Sequence, residues 1–143
     1  MSKNSWLILL LILAVAIFFR FYKITEIPPG LYPDEAANGV NALDALSAGK
    51  FKVFYPENNG REGLFMNIQA LSVKVFGAQP WALRIVSGVF GTLTVLGLFF
   101  LTRLLWSERI ALVASYLMAV SFWPVNFSRI GFRAIMLPFI LVW

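Results

Sequence analysis

Apolar runs alternate with one long polar stretch, and that alternation predicts the architecture. Trp6 to Phe19 is an uncharged apolar run of 14 residues. As a helix it extends roughly 21 Å, short of the ~30 Å hydrocarbon core. Phe21 and Tyr22 lengthen it while Arg20 and Lys23 snorkel to the interface, so a first span is expected at about residues 6–22. Ala14-Val15-Ala16 also resembles a signal-peptide cleavage site, but the Ile-Phe-Phe-Arg-Phe-Tyr that follows is too apolar for a mature start. An uncleaved anchor is the favoured reading. A second span is expected at about 82–102, where Ile85 to Thr102 carries no charge, Pro80 suits a helix start and Trp81 an interface. A third is expected at 110–128, broken late by Pro124. Residues 130–143 read as an incomplete fourth. Carbonyls cannot be left unsatisfied in hydrocarbon, so the chain is expected to be the N-terminal part of a longer protein or a truncated reading frame.

Residues 24–79 form the polar interruption. Pro28-Pro29-Gly30 breaks any helix. Asp34 to Ala48 then predicts a helix with Ala36, Val40, Leu43 and Leu46 as its apolar stripe and Gly49 as its stop. Lys50 to Tyr55 alternates as a short extended piece, and Pro56-Glu57-Asn58-Asn59-Gly60 reads as a turn. Arg61 to Phe76 predicts a second helix with Leu64, Phe65, Ile68, Leu71 and Val75 on one face. Both helices are short and amphipathic and are expected at the membrane surface. The fold class that follows is all-α: a polytopic transmembrane helical protein with amphipathic surface helices in its first outer loop.

Composition agrees and narrows the chemistry. At 59% hydrophobic and 13% charged, the chain is too apolar for a soluble domain. The net charge of +5 is dispersed, and no basic run interleaved with aromatics suggests nucleic acid. With no Cys and no His, thiol nucleophiles, imidazole bases and the usual zinc sites are excluded. Acid–base work falls to seven carboxylates, with Tyr and Lys. Arg103 and Arg109 in the short loop between the second and third spans predict that this loop is cytoplasmic. Met1 is then cytoplasmic too, and the 24–79 loop and the Arg129 segment face outside, in a cell membrane.

The outer face gathers Asp34, Glu35, Asp44, Glu57, Arg61, Glu62, Arg84 and Arg129. Neighbours on a helix point about 100° apart, so Asp34 and Glu35 cannot both face one substrate atom. One is expected to be the base, at Asp34, and the other a positioner or metal ligand. Such a pair is not the opposed carboxyls of a glycosidase. It suits glycosyl transfer from a lipid phosphate, whose leaving group is already a stable anion and needs no general acid. That reaction needs cations on the phosphate, and Arg61, Arg84 and Arg129 are the candidates. The plainer alternatives are an acidic first helical turn at Asp34-Glu35, a solvated Arg61, and snorkelling anchors at Arg84 and Arg129. Gly88 and Gly91 read as helix packing, not a phosphate loop.

Four features together carry a resemblance: the short anchor, the Pro33-Asp34-Glu35 loop helix, the Gly-Arg-Glu-Gly-Leu-Phe turn at 60–65, and Trp-Ala-Leu-Arg-Ile-Val-Ser-Gly at 81–88. The chain resembles the N-terminal part of GT-C fold glycosyltransferases that use polyprenyl-phosphate sugars. These include the dolichyl-phosphate-mannose protein mannosyltransferases and the bacterial aminoarabinose transferases. The resemblance implies an inverting transfer to an acceptor hydroxyl, with Asp34 at the catalytic acidic position and Glu35 beside it. It also implies lipid-phosphate contacts by Arg61, Arg84 and Arg129. The implied partners are a polyprenyl-phosphate-linked sugar, membrane lipid, and an acceptor protein or glycolipid. No cofactor is required, and nothing in the sequence supports a divalent metal. Many relatives carry a further acid beyond the Arg129 position, where this chain has Ile-Gly-Phe-Arg. The competing function class is a non-catalytic polytopic protein, such as a transporter or assembly-subunit fragment.

Overall fold

A computed structural model describes residues 3–57 and 60–143. Asn58 and Asn59 of the expected turn lie outside the described residues, as does Met1. The chain forms α1 (Lys3–Phe21), α2 (Pro33–Ala48), a two-residue strand pair β1 (Phe54–Tyr55) and β2 (Arg61–Glu62), and α3 (Gly63–Phe76). Then come α4 (Pro80–Leu105), α5 (Glu108–Val120), α6 (Phe122–Arg129), a 3-10 turn (Arg133–Ile135) and α7 (Met136–Val142). The protein is a helical membrane protein. Helices α1 and α4 are each long and apolar enough to cross a bilayer, and α5 with α6 makes a third such unit bent by 52°.

Helix α4 is the spine, opened by Pro80 and packed against α1, α3, α5, α6 and α7. Its small residues admit close neighbours, as packing in lipid requires. A Cβ at Gly88 would lie 2.7 Å from the Phe21 ring, and one at Gly97 would meet Val142 and Trp143. Between α1, α4 and α5 the core is Leu9, Ile12, Ala16, Val95, Phe99, Ala111 and Ala119. A second core, of Ala45, Tyr55, Phe65, Met66, Val86, Ile135 and Met136, seats α2, the strand pair and α3 on the end of α4.

Several expectations change on folding. The third apolar stretch breaks at Ser121 rather than at Pro124. A proline excludes the carbonyl four residues before it, here that of Val120, so the helix stops one turn earlier. Arg20 does not snorkel: it is fully buried beside Gly91 and donates to the carbonyls of Ala16, Met118 and Ala119. The last two of these are carbonyls orphaned by the end of α5. Arg61 and Glu62 belong to β2, and α3 starts at Gly63, whose N–H donates to Val53 O at 2.7 Å. Helix α2 turns its polar side inward. Glu35, Asn38 and Asn41 are buried with Ala42 and Ala45, while Val40 and Leu43 face out. In α3 the expected stripe divides: Phe65 is buried, whereas Leu64, Leu71 and Val75 are exposed. Gly131, at φ +62°, breaks residues 130–143 into the 3-10 turn and a short α7 lying on α4, where Trp143 Nε1 donates to Leu93 O.

Candidate functional site

The site is built at the N-terminus of α2. Pro33 sets the first helical turn, and Glu35 accepts from the Tyr32 N–H at 3.3 Å, closing the helix start. Gly49, at φ +62°, ends the helix with its N–H on Leu46 O. Adjacent positions diverge by about 100°, and each acid finds its own arginine.

Glu35 points into the protein. Its Oε1 accepts from Arg84 Nε at 2.8 Å and its Oε2 from Arg84 Nη2 at 3.2 Å, with both side chains buried. Burial pushes the Glu35 carboxyl above its ordinary range, against the opposing pull of Arg84 and the Tyr32 N–H. Arg84 gives its remaining donors to backbone: Nη1 to Pro28 O at 2.8 Å and Ile24 O at 3.5 Å, and Nη2 to Gly30 O. All five of its N–H groups are thereby occupied within the chain. Arg84, expected as a lipid-phosphate contact, spends its donors on Glu35 and backbone in this arrangement. It fastens Glu35 and the 24–30 loop to α4.

Arg129 also reaches backbone carbonyls. From the end of α6 it donates to Phe19 O and Tyr22 O at 2.8 Å each and to Ile27 O at 2.9 Å. Those carbonyls lie at and beyond the end of α1, where the helix leaves acceptors unfilled. Arg20 of α1 thus caps the end of α5, and Arg129 of α6 caps the end of α1. Arg84 and Arg129 together hold the chain from Phe19 to Gly30, the segment that sets where α2 begins.

Asp34 points the other way. Its Oδ1 accepts from Arg61 Nη2 at 2.6 Å, its backbone carbonyl accepts from Arg61 Nη1 at 3.2 Å, and its side chain is 36% exposed. Arg61 is buried, also donates to Asn38 Oδ1, and keeps its Nε buried without a partner. Asn38 and Gln69 both donate to Gly131 O, joining α2, α3 and the loop after α6. A Cβ at Gly131 would come within 2.9 Å of Glu35 Oε1. Asp34 and Arg61 are brought together, Glu35 and Arg84 are brought together, and Arg129 braces the same loop. Asn38 and Gly131 were missed as site residues. The four-residue step from Asp34 to Asn38 was a usable signal, because those positions share a helix face. Among the described residues no three His, Cys, Asp or Glu side chains converge as metal ligands would.

The arrangement offers one solvent-accessible carboxylate, oriented by a buried guanidinium, on a frame made rigid by a second buried ion pair. The family model described as dolichyl-phosphate-mannose-protein mannosyltransferase matches residues 64–143, a stretch that holds Arg84 and Arg129 and begins after Asp34, Glu35 and Arg61. No curated protein and no solved structure matches the chain.

Proposed function

Because the chain belongs to the dolichyl-phosphate-mannose-protein mannosyltransferase family, a family of membrane glycosyltransferases, we propose that Asp34 is the base of a sugar transfer from a polyprenyl phosphate. In that reaction the acceptor hydroxyl oxygen attacks the anomeric carbon from the face opposite the phosphate. The C1–O bond to phosphate breaks and its electron pair leaves on the lipid phosphate. Asp34 takes the hydroxyl proton, and the configuration inverts. The leaving phosphate needs no proton, which fits a site with one accessible carboxylate. The acceptor is a hydroxyl of a protein or glycolipid.

The observation that carries this reading is the unequal exposure of the two acids. Glu35 is sealed against Arg84, while Asp34 is accessible and aimed by Arg61. Glu35 is then a positioning residue, as are Arg84 and Arg129. We place the 24–79 loop outside the cell membrane and the α4–α5 connection, with Arg103 and Arg109, in the cytoplasm. The test is lipid-linked sugar transfer by the full-length protein carrying Asp34→Asn. Loss of transfer with normal folding is expected, and retained transfer rules out the base assignment.

A further inference from the structure

Arg84 gives its donors to Glu35 and backbone, Arg61 is held by Asp34 and Asn38, and Arg129 makes three bonds to backbone, whereas Arg133 has a single exposed partner among the described residues. We propose that the groove between β2 and α7 binds a lipid phosphate, with Arg133 as its headgroup contact. Arg133 follows the Gly131 bend that touches Glu35 and Asn38, so it stands at the same end of the bundle as Asp34. It makes one side-chain hydrogen bond among the described residues, to Glu62, and the two side chains are 34% and 58% exposed. An ion pair that exposed is weak, because water screens both charges. A phosphate, which a guanidinium grips through two parallel bonds, can therefore displace Glu62.

The walls of the groove supply the second half of the argument. It encloses about 390 Å³ and runs from Arg133 and Glu62 past Phe132, Met136, Leu137 and Ile140. Leu137 and Ile140 are 60% and 54% exposed. Arg133, Leu137 and Ile140 are spaced by four and three, so one cation heads an apolar strip roughly 10 Å long. That is complementary to an anionic head on a hydrocarbon chain. Three other grooves are lined without a charged side chain: by Val40, Leu43 and Leu83, by Ile68, Leu71 and Val89, and by Ile17, Phe21 and Leu93. They offer a hydrocarbon chain a wall but its headgroup no cation. Identifying the lipid with the sugar donor rests on the function proposed above; the binding itself does not.

The experiment uses full-length protein in phosphatidylcholine nanodiscs and a fluorescent short-chain polyprenyl phosphate carrying no sugar. Arg133→Gln should weaken binding roughly ten-fold, the value of a charge-assisted bond. Glu62→Gln, which frees Arg133 from its competitor, should tighten it. A pair that is merely structural would make both substitutions weaken binding alike, and that result overturns the proposal, as does wild-type affinity in Arg133→Gln. The matching prenol and inorganic phosphate should each compete poorly. Equal competition by inorganic phosphate, or by phosphatidylglycerol added to the discs, also overturns it. Because no sugar is transferred, failure here and failure of the Asp34 assignment are read separately.

Discussion

Replacing Glu35 by Gln tests the division of labour between the two acids. The substitution keeps the shape and removes the charge, leaving Arg84 buried without a counter-ion. Removing one partner of a buried ion pair costs about 3–5 kcal/mol, because the other charge is stranded. Here three of the five Arg84 donors keep their carbonyls, at Ile24, Pro28 and Gly30, so the lower end, about 3 kcal/mol, is expected. Asp34→Asn, at a partly exposed pair, should cost about 1 kcal/mol or less. The assay is reversible denaturation in micelles, followed by Trp fluorescence, with both variants beside wild type. The contrast between neighbouring positions is the signature. If Glu35→Gln unfolds at the wild-type midpoint, the buried pair does not hold the loop and the reasoning fails.

Other consequences follow from the same frame. Gly131→Ala should lose about 1–2 kcal/mol from its left-handed backbone alone, with more from the contact with Glu35, measured by the same denaturation; unchanged stability would contradict the bend. Arg129→Gln strips donors from Phe19, Tyr22 and Ile27, so proteolytic cleavage within residues 22–30 should quicken while α4 stays protected.

What could be read from the chain was what depends on near neighbours. Pro33 and Gly49 bound α2 by local backbone rules, and the 100° step between Asp34 and Glu35 already required separate roles for them. The apolar lengths of α1 and α4 marked them as membrane helices. Partners were harder. Arg84 meets an acid 49 positions away, and Arg129 meets carbonyls more than 100 positions away, for which local periodicity holds no signal. The faces of α2 were misread because its polar side packs inward on Arg61, Arg84 and Gly131, leaving Val40 and Leu43 outside. Arg20 looked like a snorkelling end residue until the break in α5 supplied bare carbonyls for it. Local pattern marks where a cation sits along the chain, and only the folded bundle decides whether it serves a ligand or the backbone.

The central claim is that Asp34 reacts while its neighbour only supports. The most direct measurement is a single turnover: the full-length Asp34→Asn protein, folded and loaded with a polyprenyl-phosphate sugar, is mixed with acceptor and the transferred sugar is counted. The account predicts a bound donor and no transfer above background. Transfer at the wild-type rate from that loaded protein would contradict it.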